Sequence, residues 1–220
     1  MLSIVSTPIG NLEDITLRAL RTLKEADYIA CEDTRMTGQL LGYYDIENGW
    51  RLMSFHSHSG FSKVDKIIEL LQEWKHIALV SDAGTPGISD PGYVLIKKAI
   101  EAGVTVTPIP GASAVLSALV ASGFDCHQYL YLGFIPVKKW RQTMLKSLQN
   151  KEHTVVIYES VHRIEKTLQE FEEYFGADTP MVVGREITKK FEEFARGTIY
   201  EIREYFKKEG KIKWEFVIVF

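Results

Sequence analysis

The chain has 220 residues, 45% of them hydrophobic, 25% charged and 11% aromatic, a composition that excludes a disordered or fibrous polymer and suffices for one large domain or two compact ones. Formal net charge is -3, and residues 1–110 hold 10 Lys and Arg against 14 Asp and Glu while residues 111–220 hold 16 against 15, so a polyanionic partner has to be met by a local basic patch. Cys31 and Cys126 stand far apart without metal-ligand spacing, no apolar run reaches the roughly 18 residues of a membrane span, and the N-terminus lacks a cleavage signature, so the expectation is a cytoplasmic protein with neither a disulfide framework nor a zinc site.

Short apolar runs at residues 2–6, 28–31, 51–55, 76–81 and 104–107 predict strands, with amphipathic stretches between them, which is the pattern of a mainly parallel α/β sheet. The first strand enters Ser6-Thr7-Pro8-Ile9-Gly10-Asn11, a Pro/Gly loop at the carboxyl end of a strand, where open α/β sheets bind ligands. It matches neither the dinucleotide fingerprint nor the Walker phosphate cradle. A plain turn with Asp14 or Thr16 as helix N-cap is the simpler alternative.

After the second strand, Glu32, Asp33 and Arg35 put two carboxylates and a guanidinium on the same rim. They position a polar substrate or supply a base; alternatively they form an acidic N-cap paired with Arg35. His56 and His58 follow at i, i+2 spacing without a third ligand, so no metal site is expected. The fourth strand ends in SDAGTPGISDPG, residues 81–92, with three Gly and two Pro. Such small residues let main-chain groups approach a flat ligand, such as an adenosine or an amino-acid moiety. The alternative is a long turn capped by Asp90, with Pro91 at the first helical position. A further Pro/Gly loop, residues 108–114, precedes a helix predicted over 112–122. If the strands are parallel, these loops share one rim.

Gly123 and Asp125 break the chain, and strands are predicted at 129–133, 153–159, 181–185, 191–199 and 215–219, in a mixed sheet. Val161, Ile164, Leu168, Phe171 and Phe175 form the apolar stripe of a helix after Ser160. Strand ends place Tyr158, Glu159, Ser160, His162 and Arg163, and then Arg185, Glu186, Lys189 and Lys190, as polar walls, or as a cap at Ser160 and a buried Arg–Glu pair. Two basic runs, Lys138, Lys139, Arg141 and Lys146, and Lys207, Lys208, Lys211 and Lys213, are nucleic-acid patches or solvated helix faces. The expected division is an N-terminal α/β domain over 1–115, with the Pro/Gly loops, and a C-terminal α/β domain over 116–220.

The runs TPIGNLEDIT, EDTR, SDAGTPGISDPG, PGASA, GFIPVKKWR, YESVHR and REITKKFEE, in this order over nearly the whole chain, resemble the tetrapyrrole-methylase-like (class III) methyltransferases, and among them the branch acting on small-subunit ribosomal RNA. The resemblance implies a mainly parallel N-terminal sheet, a mixed C-terminal sheet, S-adenosyl-L-methionine in the cleft between the domains, a homodimer, and 2'-O-methylation of a decoding-centre cytidine of 16S rRNA. It implies cofactor contacts from Pro8, Ile9 and Gly10, from Asp82, Gly84, Thr85, Pro86 and Ile88, from Ser113 and Ala114, and from Tyr158, Glu159, Gly184 and Arg185. Asp33 or Glu32 is then expected as the base for the 2'-hydroxyl. Lys189 joins them in the catalytic set and, with Arg35 and Arg163, contacts RNA phosphate, while Lys138 and Lys139 bind RNA. A methylase of the same fold acting on a tetrapyrrole, or on another small-molecule or protein acceptor, is the alternative. Trp214 departs from the family pattern, which has Gly before Glu215.

Overall fold

The computed structural model describes residues 1–55, 61–209 and 215–220, and these divide into two units, Met1–Ser113 and Ala114–Phe220. His56, His58, Lys211, Lys213 and Trp214 lie outside the described residues. No helix among the described residues is long and apolar enough to cross a membrane, and both cysteines are free.

In the first unit, strands β1 (Leu2–Val5), β2 (Tyr28–Cys31), β3 (Leu52–Ser54), β4 (Ile77–Leu79) and β5 (Val106–Ile109) alternate with helices α1 (Leu17–Glu25), α2 (Thr34–Tyr43), α3 (Phe61–Gln72) and α4 (Gly92–Glu101). Their order is β3-β2-β4-β1-β5 and every pairing is parallel. All five carboxyl ends therefore lie along one edge. The central strands are short and buried, as expected where helices cover both faces of a parallel sheet. Alternation sends Leu2, Ile4, Ile77 and Leu79 to one face, against Ile67 and Leu71 of α3 and Leu95 of α4. Val5 and Ala78 go to the other, against Ala19 and Leu23 of α1 and Leu41 of α2.

The end strand β5 contains Pro108 and begins two residues later than the sequence predicts. Proline lacks an N–H, but at a sheet edge that donor is not needed. The Pro108 carbonyl accepts a hydrogen bond from Arg18 at 2.9 Å.

The second unit holds helix α5 (Ala114–Ser122), strands β6 (Tyr129–Phe134), β7 (Thr154–Glu159), β8 (Pro180–Arg185), β9 (Glu193–Thr198) and β10 (Phe216–Val219), and helices α6 (Arg141–Ser147), α7 (Ile164–Phe175) and α8 (Ile199–Glu209). The sheet order is β6-β7-β10-β8-β9, with β6 and β7 parallel and the other pairs antiparallel. It is the mixed sheet that the sequence predicts. On α7, Ile164, Leu168 and Phe171 are buried, and the Phe171 and Phe175 rings close on Phe220 with centroids 4.9 and 5.2 Å apart.

Local cap chemistry sorts the alternatives. Thr16, not Asp14, caps α1, accepting the Ala19 N–H. Helix α4 starts at Gly92 with Pro91 just outside it, and the Asp90 carboxylate accepts the N–H groups of Gly87 and Gly92. Ser160 is not the N-cap of α7. Arg163 occupies that position, while the Ser160 carbonyl accepts the N–H groups of Arg163 and Ile164. Helix α5 starts at Ala114 rather than Ala112.

Candidate active site on the rim of the parallel sheet

Three loops leave the adjacent strands β4, β1 and β5 at the same edge and are tied to one another. The Thr7 N–H donates to the Gly84 carbonyl at 2.9 Å, and the Gly84 N–H donates back to the Thr7 carbonyl at 3.1 Å. The Ser6 hydroxyl meets the Thr85 hydroxyl at 2.8 Å, and the Ser6 N–H donates to the Ile109 carbonyl at 3.2 Å. Ser6, Thr7 and Ser81 are buried, and their hydroxyls are satisfied within the loops, Thr7 donating to the Ser81 carbonyl and Ser81 to that of Gly84. Buried polar groups so paired make a rigid frame.

Two glycines make the approach possible. Gly84 has φ +83, a backbone conformation that selects glycine, while a Cβ there would only touch Ile9 Cγ2 at 3.4 Å. At Gly111 a Cβ would fall 2.8 Å from the Ser6 Cβ. The loops thus bring together Pro8, Ile9 and Gly10 with Asp82, Gly84, Thr85, Pro86 and Ile88. Pro8, Gly84 and Pro86 are buried, whereas Gly10, Asp82 and Ile88 are exposed. Ser113 ends this unit and Ala114 opens α5 of the next.

The acidic turn after β2 joins the same frame. Asp82 Oδ1 accepts the Asp33 N–H at 3.1 Å. Asp33 caps α2, and both of its oxygens are taken by Arg35, Oδ1 by the main-chain N–H at 2.8 Å and by Nε at 3.1 Å, Oδ2 by Nη2 at 2.7 Å. Arg35 holds the Asp33 carboxyl down at about 2. Such a group is a poor proton acceptor near neutrality. Glu32 differs from its neighbour: burial, then the negative charges of Asp90 and Asp82, push its carboxyl above the ordinary range.

In the second unit the expected residues separate into different roles. Tyr158 stands at the end of β7 with its ring 5.5 Å from those of Tyr131 and Phe134, and burial pushes its phenol up. Glu159 is fully buried. Its carboxylate accepts the Ser160 N–H at 2.7 Å, the Arg163 guanidinium at 2.7 Å and the Thr167 hydroxyl at 2.7 Å. These three donors give the Glu159 carboxylate a structural role within the second unit.

Arg141 continues this network through Thr167 at 2.7 Å, Glu170 at 2.7 Å and the Pro136 carbonyl at 3.1 Å, and is 5% exposed. It is a structural anchor and leaves the expected basic patch. Arg163 also donates to the Ile135 carbonyl at 3.1 Å. Lys138, Lys139 and Lys146 are exposed, as are Lys207 and Lys208 near the end of α8.

Gly184 and Arg185 close β8, and Arg185 pairs with Glu193 at 2.5 Å, a glutamate outside the run 185–190 in which the sequence suggests an Arg–Glu pair. Lys189 lies in the following turn, its N–H bonded to the Glu186 carbonyl at 2.8 Å. Among the described residues no group of His, Cys, Asp or Glu is arranged to hold a metal ion. Sequence reading passed over the close approach at Gly111 and the anchoring role of Arg141. A glycine between Pro110 and a run of small residues hints at the first, but nothing in a local pattern reveals the second.

A family model described as tetrapyrrole (corrin/porphyrin) methylases matches residues 1–203. Proteins named ribosomal RNA small subunit methyltransferase I are 46% identical in Halalkalibacterium halodurans, over 99% of this chain and 74% of the relative, and 46% identical in Bacillus subtilis, over 100% and 74%. Among solved structures, diphthine synthase aligns with TM-score 0.76 at 14% identity, covering 99% of this chain and 88% of that one. Uroporphyrin-III-C-methyltransferase from Thermus thermophilus gives 0.68 at 18%, covering 99% and 93%. The structural likenesses establish the fold, and the close relatives narrow the family: the chain belongs to the tetrapyrrole methylases and, within them, to the ribosomal RNA small subunit methyltransferase I group, and it is a methyltransferase.

Proposed function

We propose that this methyltransferase uses S-adenosyl-L-methionine to methylate the ribose 2'-oxygen of a decoding-centre cytidine, cytidine 1402 of 16S rRNA, working as a homodimer in the cytoplasm. The observation that carries the cofactor reading is the knot of three loops around Gly84 and Gly111. A nucleoside joined to an amino acid presents a flat base, a diol and a zwitterion. A rim of main-chain N–H and C=O groups with few side chains in the way suits all three. Pro8, Ile9 and Gly10, with Asp82, Gly84, Thr85, Pro86, Ile88 and Ser113, are the residues that would hold it. Ala114, Tyr158, Gly184 and Arg185 stand as further contacts by resemblance. The acceptor follows the names of the close relatives.

Bound there, the cofactor would supply an electrophilic methyl group. The chain's own work is then to hold the ribose oxygen in line and to take its proton. Glu32 fits the second task, since its raised carboxyl accepts a proton more readily than the clamped Asp33. Arg35, Arg163 and Lys189 contact phosphate on this reading. Calorimetry with S-adenosylhomocysteine tests the rim: Gly111→Ala forces the backbone away from Ser6 and is expected to weaken binding by about tenfold, or ~1.4 kcal/mol. Unchanged affinity in that variant would remove the three-loop rim as the cofactor site.

A further inference from the structure

We infer that residues 134–140, between β6 and α6, form a stacking platform for unpaired RNA, with the Trp140 ring against a base and Lys138 and Lys139 against the flanking phosphates. The inference rests on the RNA-acceptor reading above and names the surface that would grip the strand. The first observation is a large ring with no role inside the fold. Trp140 is 65% exposed, and Phe134 and Val137 are also exposed. The second is that this ring is held in a conformation a side chain disfavours. Trp140 has φ +69, in the left-handed region where a Cβ crowds the following carbonyl. Strain of this kind at an exposed ring, a conformation Trp140 shares with Trp74, fits a contact outside the chain where charge and aromatic neighbours also point to one.

The third observation is charge. Lys139 Nζ lies 5.3 Å from the Trp140 ring centroid, and neither Lys138 nor Lys139 belongs to an ion pair found among the described residues. The chain is net negative, so two uncompensated ammonium groups beside an exposed indole are a local feature that complements a polyanion carrying planar groups. Every base has a π-face, so stacking of this kind tolerates sequence, while the ammonium groups follow the backbone.

The fourth is rigidity. The buried Arg141 guanidinium ties the start of α6 to the Pro136 carbonyl at 3.1 Å, and Arg163 ties the Ile135 carbonyl at 3.1 Å while lying over the Phe134 ring. A segment pinned at both ends loses little freedom on binding. Phe134 also stacks beside Tyr158, 5.5 Å between centroids, so the platform is continuous with the strand end where that tyrosine stands.

Fluorescence anisotropy with a labelled, unstructured cytidine-rich RNA of about twelve nucleotides tests the platform. Stacking worth ~1–3 kcal/mol per base corresponds to roughly 5- to 150-fold, so Trp140→Gly is expected to lose affinity in that range. Glycine accepts φ +69 freely, so the melting temperature of this variant holds or rises and misfolding cannot explain the loss. Trp140→Phe, which keeps a ring, retains most of the affinity. Replacing Lys138 and Lys139 together by Gln lowers the slope of log affinity against log salt by about 1.4. Single-stranded RNA bound equally by wild type and Trp140→Gly, or not bound by wild type at all, overturns the platform. S-adenosylhomocysteine affinity, unchanged in these variants, is read separately: its absence in the wild type refutes the cofactor reading, whatever the RNA result.

Discussion

Glu32 and Asp33 are adjacent carboxylates at the end of one strand, and their surroundings drive them in opposite directions. Asp33 is lowered by Arg35, so its contribution to stability is present above its ordinary value of 3.8 and is lost as pH falls through about 2. Glu32 is raised above its ordinary 4.5, so the folded chain keeps its proton to higher pH than the unfolded chain does. Its ionised form therefore lowers stability near neutrality, and below 4.5, where both states are protonated, the penalty disappears. Glu32→Gln is expected to raise the melting temperature at pH 7 and leave it unchanged at pH 3, as read by circular dichroism. The same variant should lower kcat by about 10²- to 10⁴-fold with S-adenosylhomocysteine affinity kept. Asp33→Asn, losing both turnover and cofactor binding no more than severalfold, would complete the assignment; a full loss of turnover in Asp33→Asn alone would reverse it. The sequence places both carboxylates on the rim but cannot choose between them, because the choice depends on Asp82 and Asp90, which are distant in the chain and near only in the fold.

At the level of elements, periodicity and turn chemistry made most strands and helices legible. Tyr28–Cys31 stands where the pattern puts it, and the stripe from Ile164 to Phe175 faces the core as its spacing requires. What was not legible is what long-range partners decide. Pro108 sits inside β5 because that strand is an edge, a fact of topology. Arg141 reads as one of a basic run, yet Glu170 and Thr167, 29 and 26 residues away, draw it into the interior. The network Arg163–Glu159–Thr167–Arg141–Glu170 joins the end of β7 to α6 and α7 and fixes the start of the aromatic-basic segment. Breaking a buried ion pair by removing one partner costs about 3–5 kcal/mol. Arg141→Ala is accordingly expected to destabilise the second unit by that order in urea unfolding, whereas Lys138→Ala, at an exposed position, changes stability by less than ~0.5 kcal/mol. Equal small effects from both variants would contradict the buried role of Arg141.

For the whole molecule, the parallel sheet explains why loops far apart in sequence form one rim: five strands pointing the same way leave all their carboxyl ends on one edge. The mixed second sheet supplies the aromatic and basic groups around Tyr158, Phe134 and Trp140. A chain with net charge -3 that acts on RNA must rely on such local groups, and its RNA binding should weaken steeply with salt. The two-sheet architecture was readable because most strands announce their ends with Pro, Gly or a polar cluster. The reaction was readable through long motifs and close relatives. The most direct test of the central claim is to incubate the protein with methyl-labelled S-adenosyl-L-methionine and small ribosomal subunits lacking the modification, then digest the RNA and identify the labelled nucleoside. Label in 2'-O-methylcytidine at a single position is the predicted result. Label on a base, on protein or nowhere in the subunit, from a protein that still binds S-adenosylhomocysteine, would contradict it.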